Sequence, residues 1–131
     1  LRLPLRHAPA PVAPGLALLV EDNAMIRTNV REMLIEQGHT VIEAASTEEA
    51  LLLAQDLPDI ALVLSDISLE GEATGLDLLN ALGQSRPPSF LMTSLPDTDP
   101  LFQRALTLAP VLRKPFTADT LATYLGTDRA R

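Results

Sequence analysis

The sequence predicts an α/β fold in which helices cover both faces of a five-stranded parallel sheet, a doubly wound arrangement. Short apolar runs alternate with amphipathic stretches five times between Leu16 and Leu125. Strands and helices that alternate in this way pair in parallel through right-handed crossovers. The run at residues 60–64 is apolar on both faces, as a central parallel strand requires. A chain of 131 residues is long enough to bury the core of one such domain without disulfides.

The amino-terminal part of this pattern contains two strand–helix units. Leu16–Val20 is an apolar run that predicts a buried strand, and residues 24–37 repeat apolar side chains on one helical face. Thr40–Ala44 is the second predicted strand. Ser46 and Glu49 have the spacing of a capping box, which predicts a second helix from there to about residue 55.

The remaining three units again pair an apolar run with an amphipathic stretch. In order, the predicted elements are a strand at 60–64, a helix at 76–83, a strand at 90–92, a helix at 99–108, a strand at 111–112 and a helix at 117–125. Asp99 supplies an N-cap and Pro100 a first-turn proline for the fourth helix. A polar loop from Asp66 to Thr74 follows the third strand.

The composition excludes several classes of function. The chain has no Cys, which excludes thiol catalysis and Cys-ligated metals. Its net charge of -7 argues against a nucleic-acid partner, which needs clustered Lys and Arg to neutralise phosphates. Apolar runs are short compared with the ~20 residues that a membrane-spanning helix requires, so no membrane contact is expected. No export signal is recognisable, and the expected location is the cytoplasm.

Polar side chains with complementary chemistry follow four of the five predicted strands. Glu21 and Asp22 follow the first, Asp66 the third, Thr93 the fourth and Lys114 the fifth. Ligands of a doubly wound sheet bind at the carboxyl ends of its strands. Three carboxylates in one crevice repel each other unless a cation neutralises them, and hard oxygen ligands suit Mg²⁺. The sequence therefore predicts a Mg²⁺ site, with the only lysine of the chain as a fixed countercharge.

Each of these residues has a simpler interpretation when it is taken alone. Asp22 and Asn23 could cap the first helix, and for this pair capping and a site role are equally good interpretations. Thr93 could be a turn hydroxyl, and Lys114 a solvated surface charge. The coincidence of complementary groups at four separate strand ends favours a common site.

Four segments resemble the receiver domain of two-component response regulators. They are LLVEDN at 18–23, LVLSDISL at 62–69, FLMTS at 90–94 and LRKPF at 112–116. The resemblance covers residues 16–125 and implies the flavodoxin-like (βα)5 fold of that family. It also implies a phosphoacceptor function in a phosphorelay, with a histidine kinase or a histidine phosphotransfer protein as the partner.

The resemblance assigns a role to each residue at the strand ends. Asp66 would accept the phosphoryl group from a phosphohistidine, Thr93 would bind a phosphoryl oxygen, and Lys114 would pair with the phosphoryl group. The implied Mg²⁺ ligands are Asp22 directly, Glu21 mostly through water, Asp66, and the backbone carbonyl of Ser68. A cis peptide bond before Pro115 is expected as well. The isolated domain would promote its own phosphotransfer and dephosphorylation, so its standing as an enzyme is left open.

The chain departs from the family pattern at three places. Receivers usually carry Tyr or Phe three positions before the lysine, where this chain has Val111, so the aromatic side chain that couples phosphorylation to the surface is missing. Glu70 stands where most members have Pro, and the loop holds one extra residue before Gly75. These changes affect how phosphorylation is transmitted to the surface of the domain more than the phosphoryl transfer itself.

The ends of the chain suggest its context. Residues 1–15 are predicted as a linker, residues 16–126 as the receiver domain and residues 127–131 as a polar tail. The segment LRLPLR at 1–6 resembles the closing strand of a histidine kinase ATP-binding domain, which would make this the carboxyl-terminal receiver of a hybrid sensor histidine kinase. The alternative is a disordered leader. His7 in the linker and His39 before the second strand are both expected to be solvated.

Other functions fit the sequence less well. The alternative is a pseudo-receiver that binds proteins without phosphorylation, but the intact acidic pair, Thr93 and Lys114 argue against it. A flavin carrier would need phosphate-binding Ser, Thr or Gly where the chain has EDN. A haloacid-type phosphatase would need an aspartate in place of Ser68. Receiver homodimerisation is a further hypothesis, through the apolar side chains of Phe102, Leu106, Leu121 and Tyr124.

Overall fold

The computed structural model describes residues 12–126 and confirms the doubly wound fold. Five parallel strands form one sheet in the order β2-β1-β3-β4-β5. The strands are β1 (Leu16–Val20), β2 (Thr40–Ala44), β3 (Ile60–Asp66), β4 (Ser89–Thr93) and β5 (Val111–Arg113). The helices are α1 (Ala24–Glu36), α2 (Thr47–Asp56), α3 (Gly75–Leu82), α4 (Pro100–Leu106) and α5 (Ala118–Leu125). Within residues 12–126, no helix has the length and apolar character needed to cross a membrane.

The sheet separates two apolar cores. Successive strand residues point to opposite faces, so Leu19 packs in the layer that includes α1 and α5, while Leu18 packs in the layer that includes α3 and α4. Both side chains are fully buried. Central strands that are covered on both faces consist of continuous apolar runs, which is why the sequence pattern of β1 and β3 predicts this fold.

The third strand is longer than its apolar run. It continues through Ser65 and Asp66, which pair with Leu91 and Met92 of β4. Asp66 is therefore the last residue of β3 and not part of the following loop, and the backbone pairing fixes its position in the sheet. Backbone pairing does not depend on the polarity of the side chain, so hydropathy alone ends this strand too early.

The predicted caps are present, with one difference. Ser46 caps α2 by accepting a hydrogen bond from the Glu49 N–H at 3.1 Å. The Glu49 carboxylate bonds to the N–H of Ala45 instead of closing the reciprocal bond of a capping box. A complete capping box occurs at α3, between Thr74 and Asp77. It fixes the start of α3, directly after the loop that follows Asp66.

The segment before β1 packs at the end of the fold that lies opposite the carboxyl ends of the strands. The Val12 N–H donates to the Leu125 carbonyl at 2.8 Å, and the Val12 side chain is part of the core. The expectation that His39 is solvated is wrong: the ring is buried, and its Nδ1 lies 3.2 Å from the Gly15 carbonyl oxygen. The ring is covered because this segment lies against it. His7 lies outside the described residues.

Candidate functional site

The three predicted carboxylates converge at the carboxyl ends of β1 and β3. One carboxylate oxygen from each of Glu21, Asp22 and Asp66 lies within 4.8 Å of the others. Glu21 and Asp66 are buried, whereas Asp22 is exposed. The helix cap is Asn23, whose side chain accepts from the Ile26 N–H at 3.0 Å. Asp22 therefore does not cap α1, and among the described residues its carboxylate has no hydrogen-bond partner.

Lys114 joins two of these carboxylates. Its Nζ lies 2.8 Å from Asp66 Oδ2 and 3.0 Å from Glu21 Oε1. Burial lowers the pKa of the Lys114 ammonium, but the hydrogen bonds and charges of Asp66 and Glu21 outweigh burial and raise that pKa above its ordinary value. The lysine therefore remains charged and holds both carboxylates in place.

The backbone around Lys114 adds to this arrangement. The Lys114 N–H donates to the Thr93 carbonyl at 2.8 Å, which ties the end of β5 to the end of β4. The peptide bond between Lys114 and Pro115 is cis, as expected. The lysine is thus fixed at its backbone and at its ammonium group.

The charge of this site fits a divalent cation. Three carboxylates and one ammonium leave a net charge of about −2 when all are ionised. Asp22, exposed and without a partner, and the second oxygens of the buried carboxylates are hard donors of the kind Mg²⁺ prefers. Ser68 lies in the adjacent loop, and its N–H donates to Asp66 Oδ1 at 3.3 Å. The donor set is therefore compatible with the Mg²⁺ that the sequence predicts.

A surface cavity of about 290 Å³ adjoins Asp66. Its lining consists of Asp66, Ser68, Thr93, Ser94, Leu95, Pro96 and Lys114. Thr93 is buried, and its Oγ1 accepts a hydrogen bond from the Leu95 N–H at 2.9 Å. The hydroxyl proton of Thr93 has no acceptor among the described residues, so this group can donate to a ligand in the cavity. The structure thus places all of the residues predicted for the site at the carboxyl ends of the strands.

Two further residues support the site, and the sequence interpretation missed both. Arg27 of α1 donates to the Glu21 carbonyl at 2.8 Å and pairs with Glu43 of β2 at 3.0 Å, which fixes the backbone between Glu21 and α1. Gly75, the first residue of α3, lies so close to Asp66 that a Cβ there would be 2.2 Å from the Asp66 carbonyl oxygen. Gly75 directly precedes the helix predicted at 76–83, and nothing in the sequence marks its close approach to Asp66.

Comparison with known proteins agrees with the order and geometry of these residues. Residues 17–126 match the family model described as response regulator receiver domain. The chain belongs to this family. The receiver domain is 33% identical over 113 residues to the transcriptional regulatory protein PdtaR of Mycobacterium tuberculosis, a match that covers 82% of this chain and 53% of PdtaR. The chain thus spans about half the length of that relative.

Solved structures include close matches in fold. The chemotaxis protein CheY4 of Vibrio cholerae is 30% identical with a TM-score of 0.72, and the match covers 88% of this receiver domain and 98% of that chain. The receiver domain of the hybrid histidine kinase CckA is 30% identical with a TM-score of 0.70, over 86% of this chain and 97% of the other. The chain is therefore a receiver domain of the two-component signalling type.

Proposed function

We propose that this receiver domain accepts a phosphoryl group on Asp66, with Thr93 and Lys114 binding the transferred group. The observation that carries the proposal is the paired contact of Lys114 with Asp66 and Glu21, beside a cavity into which the Thr93 hydroxyl can donate. A pseudo-receiver that only binds proteins does not require a half-buried lysine between two carboxylates beside such a cavity. The geometry therefore favours phosphorylation.

The proposed step is transfer from a phosphohistidine. A carboxylate oxygen of Asp66 attacks phosphorus, an O–P bond forms, the P–N bond breaks, and its electron pair remains on the imidazole nitrogen. Such transfers need positioning and charge neutralisation more than acid–base groups. The ammonium of Lys114 lies 2.8 Å from Asp66 Oδ2, where it can pair with the negative charge of the incoming group.

The ion proposed for this site is Mg²⁺. Asp22, Asp66 and the Ser68 carbonyl would hold it directly, and Glu21 mostly through water. When bound, Mg²⁺ would offset negative charge on the carboxylates and on the phosphoryl oxygens. The oxygens of Glu21 and Asp66 already accept hydrogen bonds, from Lys114 and from the Asn23 and Ser68 N–H groups, whereas the exposed Asp22 carboxylate accepts none among the described residues, which supports Asp22 as a direct ligand.

The donor would be a histidine kinase or a histidine phosphotransfer protein. We propose that the chain is the carboxyl-terminal receiver of a hybrid sensor histidine kinase, with residues 1–15 as the linker, residues 16–126 as the receiver and residues 127–131 as the tail. The similarity to the receiver of hybrid histidine kinase CckA supports this placement. A cytoplasmic location and homodimerisation on phosphorylation are part of the same proposal. On the pairing surface, Leu106 and Tyr124 are accessible, whereas Leu121 is buried in the core.

The direct test uses a small phosphodonor. The purified protein is incubated with Mg²⁺ and acetyl phosphate, and its mass is measured intact. Wild type should gain the mass of one phosphoryl group, Asp66→Asn should gain none, and omission of Mg²⁺ should suppress the gain. Asp59→Asn is the matched control, because Asp59 is exposed just before the start of β3 and its carboxylate makes no hydrogen bond or ion pair with the described residues.

The result that contradicts the proposal is equally specific. Phosphorylation of Asp66→Asn at the wild-type rate, or no phosphorylation of wild type by acetyl phosphate or by a phosphohistidine donor, would refute it. Sedimentation of wild type with and without beryllofluoride tests the dimer separately. An unchanged mass would refute dimerisation on phosphorylation and leave the acceptor role of Asp66 intact.

A further inference from the structure

The loop between β4 and α4 is held from two sides at one residue, Leu95. Its N–H donates to Thr93 Oγ1 at 2.9 Å, and its carbonyl accepts from Arg113 Nη1 at 2.6 Å. Thr93 lies in the proposed site, whereas Arg113 lies outside it. Leu95 therefore links the hydroxyl group expected to bind the phosphoryl group with a side chain for which no hydrogen bond or ion pair to Glu21, Asp22 or Asp66 is found.

Arg113 in turn connects this loop to α4. Its guanidinium pairs with the Asp97 carboxylate and lies over the Phe102 ring, with 4.8 Å between the guanidinium carbon and the ring centroid. A planar guanidinium can bond to two acceptors with its edge while its face stacks on a ring. One side chain thus joins strand β5, the β4–α4 loop and helix α4.

The position of Arg113 on β5 explains why its side chain reaches both the β4–α4 loop and helix α4. Side chains alternate along a strand, and Leu112 packs in the layer of α1 and α5 while Val111 packs on the opposite face, toward α4. Arg113 is therefore on the face of Val111, two residues nearer to Lys114. Val111 occupies the place of the aromatic side chain usual in the family, and α4 supplies an aromatic ring through Phe102.

We propose that Arg113 is a positioning residue that couples occupancy of the phosphorylation site to helix α4. This inference rests on the proposed function of Asp66. A move of the Thr93 side chain toward a phosphoryl group either carries the Leu95 N–H with it or breaks their hydrogen bond. In the first case the Leu95 carbonyl shifts against Arg113, and in the second Leu95 is held by Arg113 alone; either change alters the contact that Arg113 makes with the loop and, through the stacked Phe102, with α4. The contacts of Arg113 thus replace the missing aromatic side chain at position 111.

The test follows backbone amides by NMR while beryllofluoride is titrated with Mg²⁺ into the ¹⁵N-labelled chain. In wild type the amides of Asp66, Leu95 and Phe102 should all shift. In Arg113→Ala the Asp66 shift should persist, and the Phe102 shift should be lost. The apparent affinity for beryllofluoride should rise about fivefold, the low end of typical coupling factors, because Leu95 is no longer held in its unoccupied position. A merely structural role for Arg113 would not raise this affinity.

Two further variants complete the test. Arg104→Ala is the matched control, since Arg104 is exposed on α4 and its side chain has no partner among the described residues; it should behave like wild type. Arg113→Lys keeps the charge but loses the planar fork, and it should also lose the Phe102 shift, which allows the test even if the alanine variant unfolds.

The outcomes separate the two proposals. A Phe102 shift of wild-type size in both Arg113 variants, or an unchanged affinity in both, would overturn the coupling while the Asp66 response still supports the phosphoacceptor function. Absence of any shift at Asp66 in wild type would overturn the proposed function, and this inference with it.

Discussion

Replacing Gly75 by alanine should both displace Asp66 and lower the stability of the fold. The new Cβ would lie 2.2 Å from the Asp66 carbonyl oxygen, whereas ordinary contacts begin at 3.4 Å, so the backbones of α3 and β3 must separate by roughly 1 Å. Overpacking of this kind costs about 1–3 kcal/mol. The better helix propensity of alanine returns at most about 1 kcal/mol, so a net loss is expected.

Two separate measurements test the Gly75→Ala variant, one of stability and one of phosphorylation rate. A destabilisation of about 1–2 kcal/mol should lower Tm by roughly 4–7 °C in a domain of this size. Displacement of the attacking carboxylate by about 1 Å should slow phosphorylation by acetyl phosphate about 100-fold. Circular dichroism measures the first quantity, and the rate of mass gain measures the second.

Gly83→Ala is the control for glycine replacement itself. Gly83 has φ +86 and ψ −172, a backbone conformation almost restricted to glycine, so alanine there is strained and should cost about 1–3 kcal/mol, but nothing lies within 4 Å of the added Cβ. This variant should lose stability and keep its phosphorylation rate. If Gly75→Ala is phosphorylated as fast as Gly83→Ala, then α3 alone absorbs the clash, and the reasoning about Asp66 is refuted.

The remaining predictions concern Lys114, Asp22 and Val12. Lys114 stabilises the folded state at pH values below the ordinary lysine pKa of 10.5, and this stabilisation is lost as pH rises through the raised pKa of the folded state. The free energy of urea unfolding should therefore fall more steeply at alkaline pH for wild type than for Lys114→Met. At neutral pH Lys114→Met should be less stable by about 3 kcal/mol, because it leaves buried carboxylates unpaired. Asp22→Asn should weaken Mg²⁺ binding by at least about tenfold in calorimetric titration, whereas the exposed loop variant Glu70→Gln should bind normally. Val12→Ala should lower the free energy of urea unfolding by about 2 kcal/mol; an unchanged value would show that this side chain adds nothing to the core.

Much of the fold could be predicted because parallel strands leave a simple signal. Strands buried on both faces are continuous apolar runs, and the carboxyl ends of parallel strands all lie at the same end of the sheet. Asp66 and Lys114 are 48 residues apart, yet this rule alone is enough to bring them together. The assembly of the candidate site could therefore be predicted from the sequence, while the roles of its residues stay predictions.

The features that could not be predicted depend on exact backbone approach and side-chain direction. The contact of Gly75 with Asp66 depends on how closely α3 approaches the end of β3. The bond of Arg113 to Leu95 depends on which face of a three-residue strand the arginine occupies. The burial of His39 depends on a preceding segment whose proline-rich composition predicts a linker. No local pattern of residue types carries this information.

The edges of the sheet limit how copies of the domain can meet. An edge strand can add a strand from another chain through its free backbone groups. Strand β5 offers only three residues, and Tyr124 already donates its hydroxyl to the Val111 carbonyl at 3.1 Å. At the other edge, β2 is five residues long and carries Glu43, which pairs with Arg27 and Arg31. Growth of the sheet from one molecule into the next is therefore disfavoured, and helix faces remain the route for association.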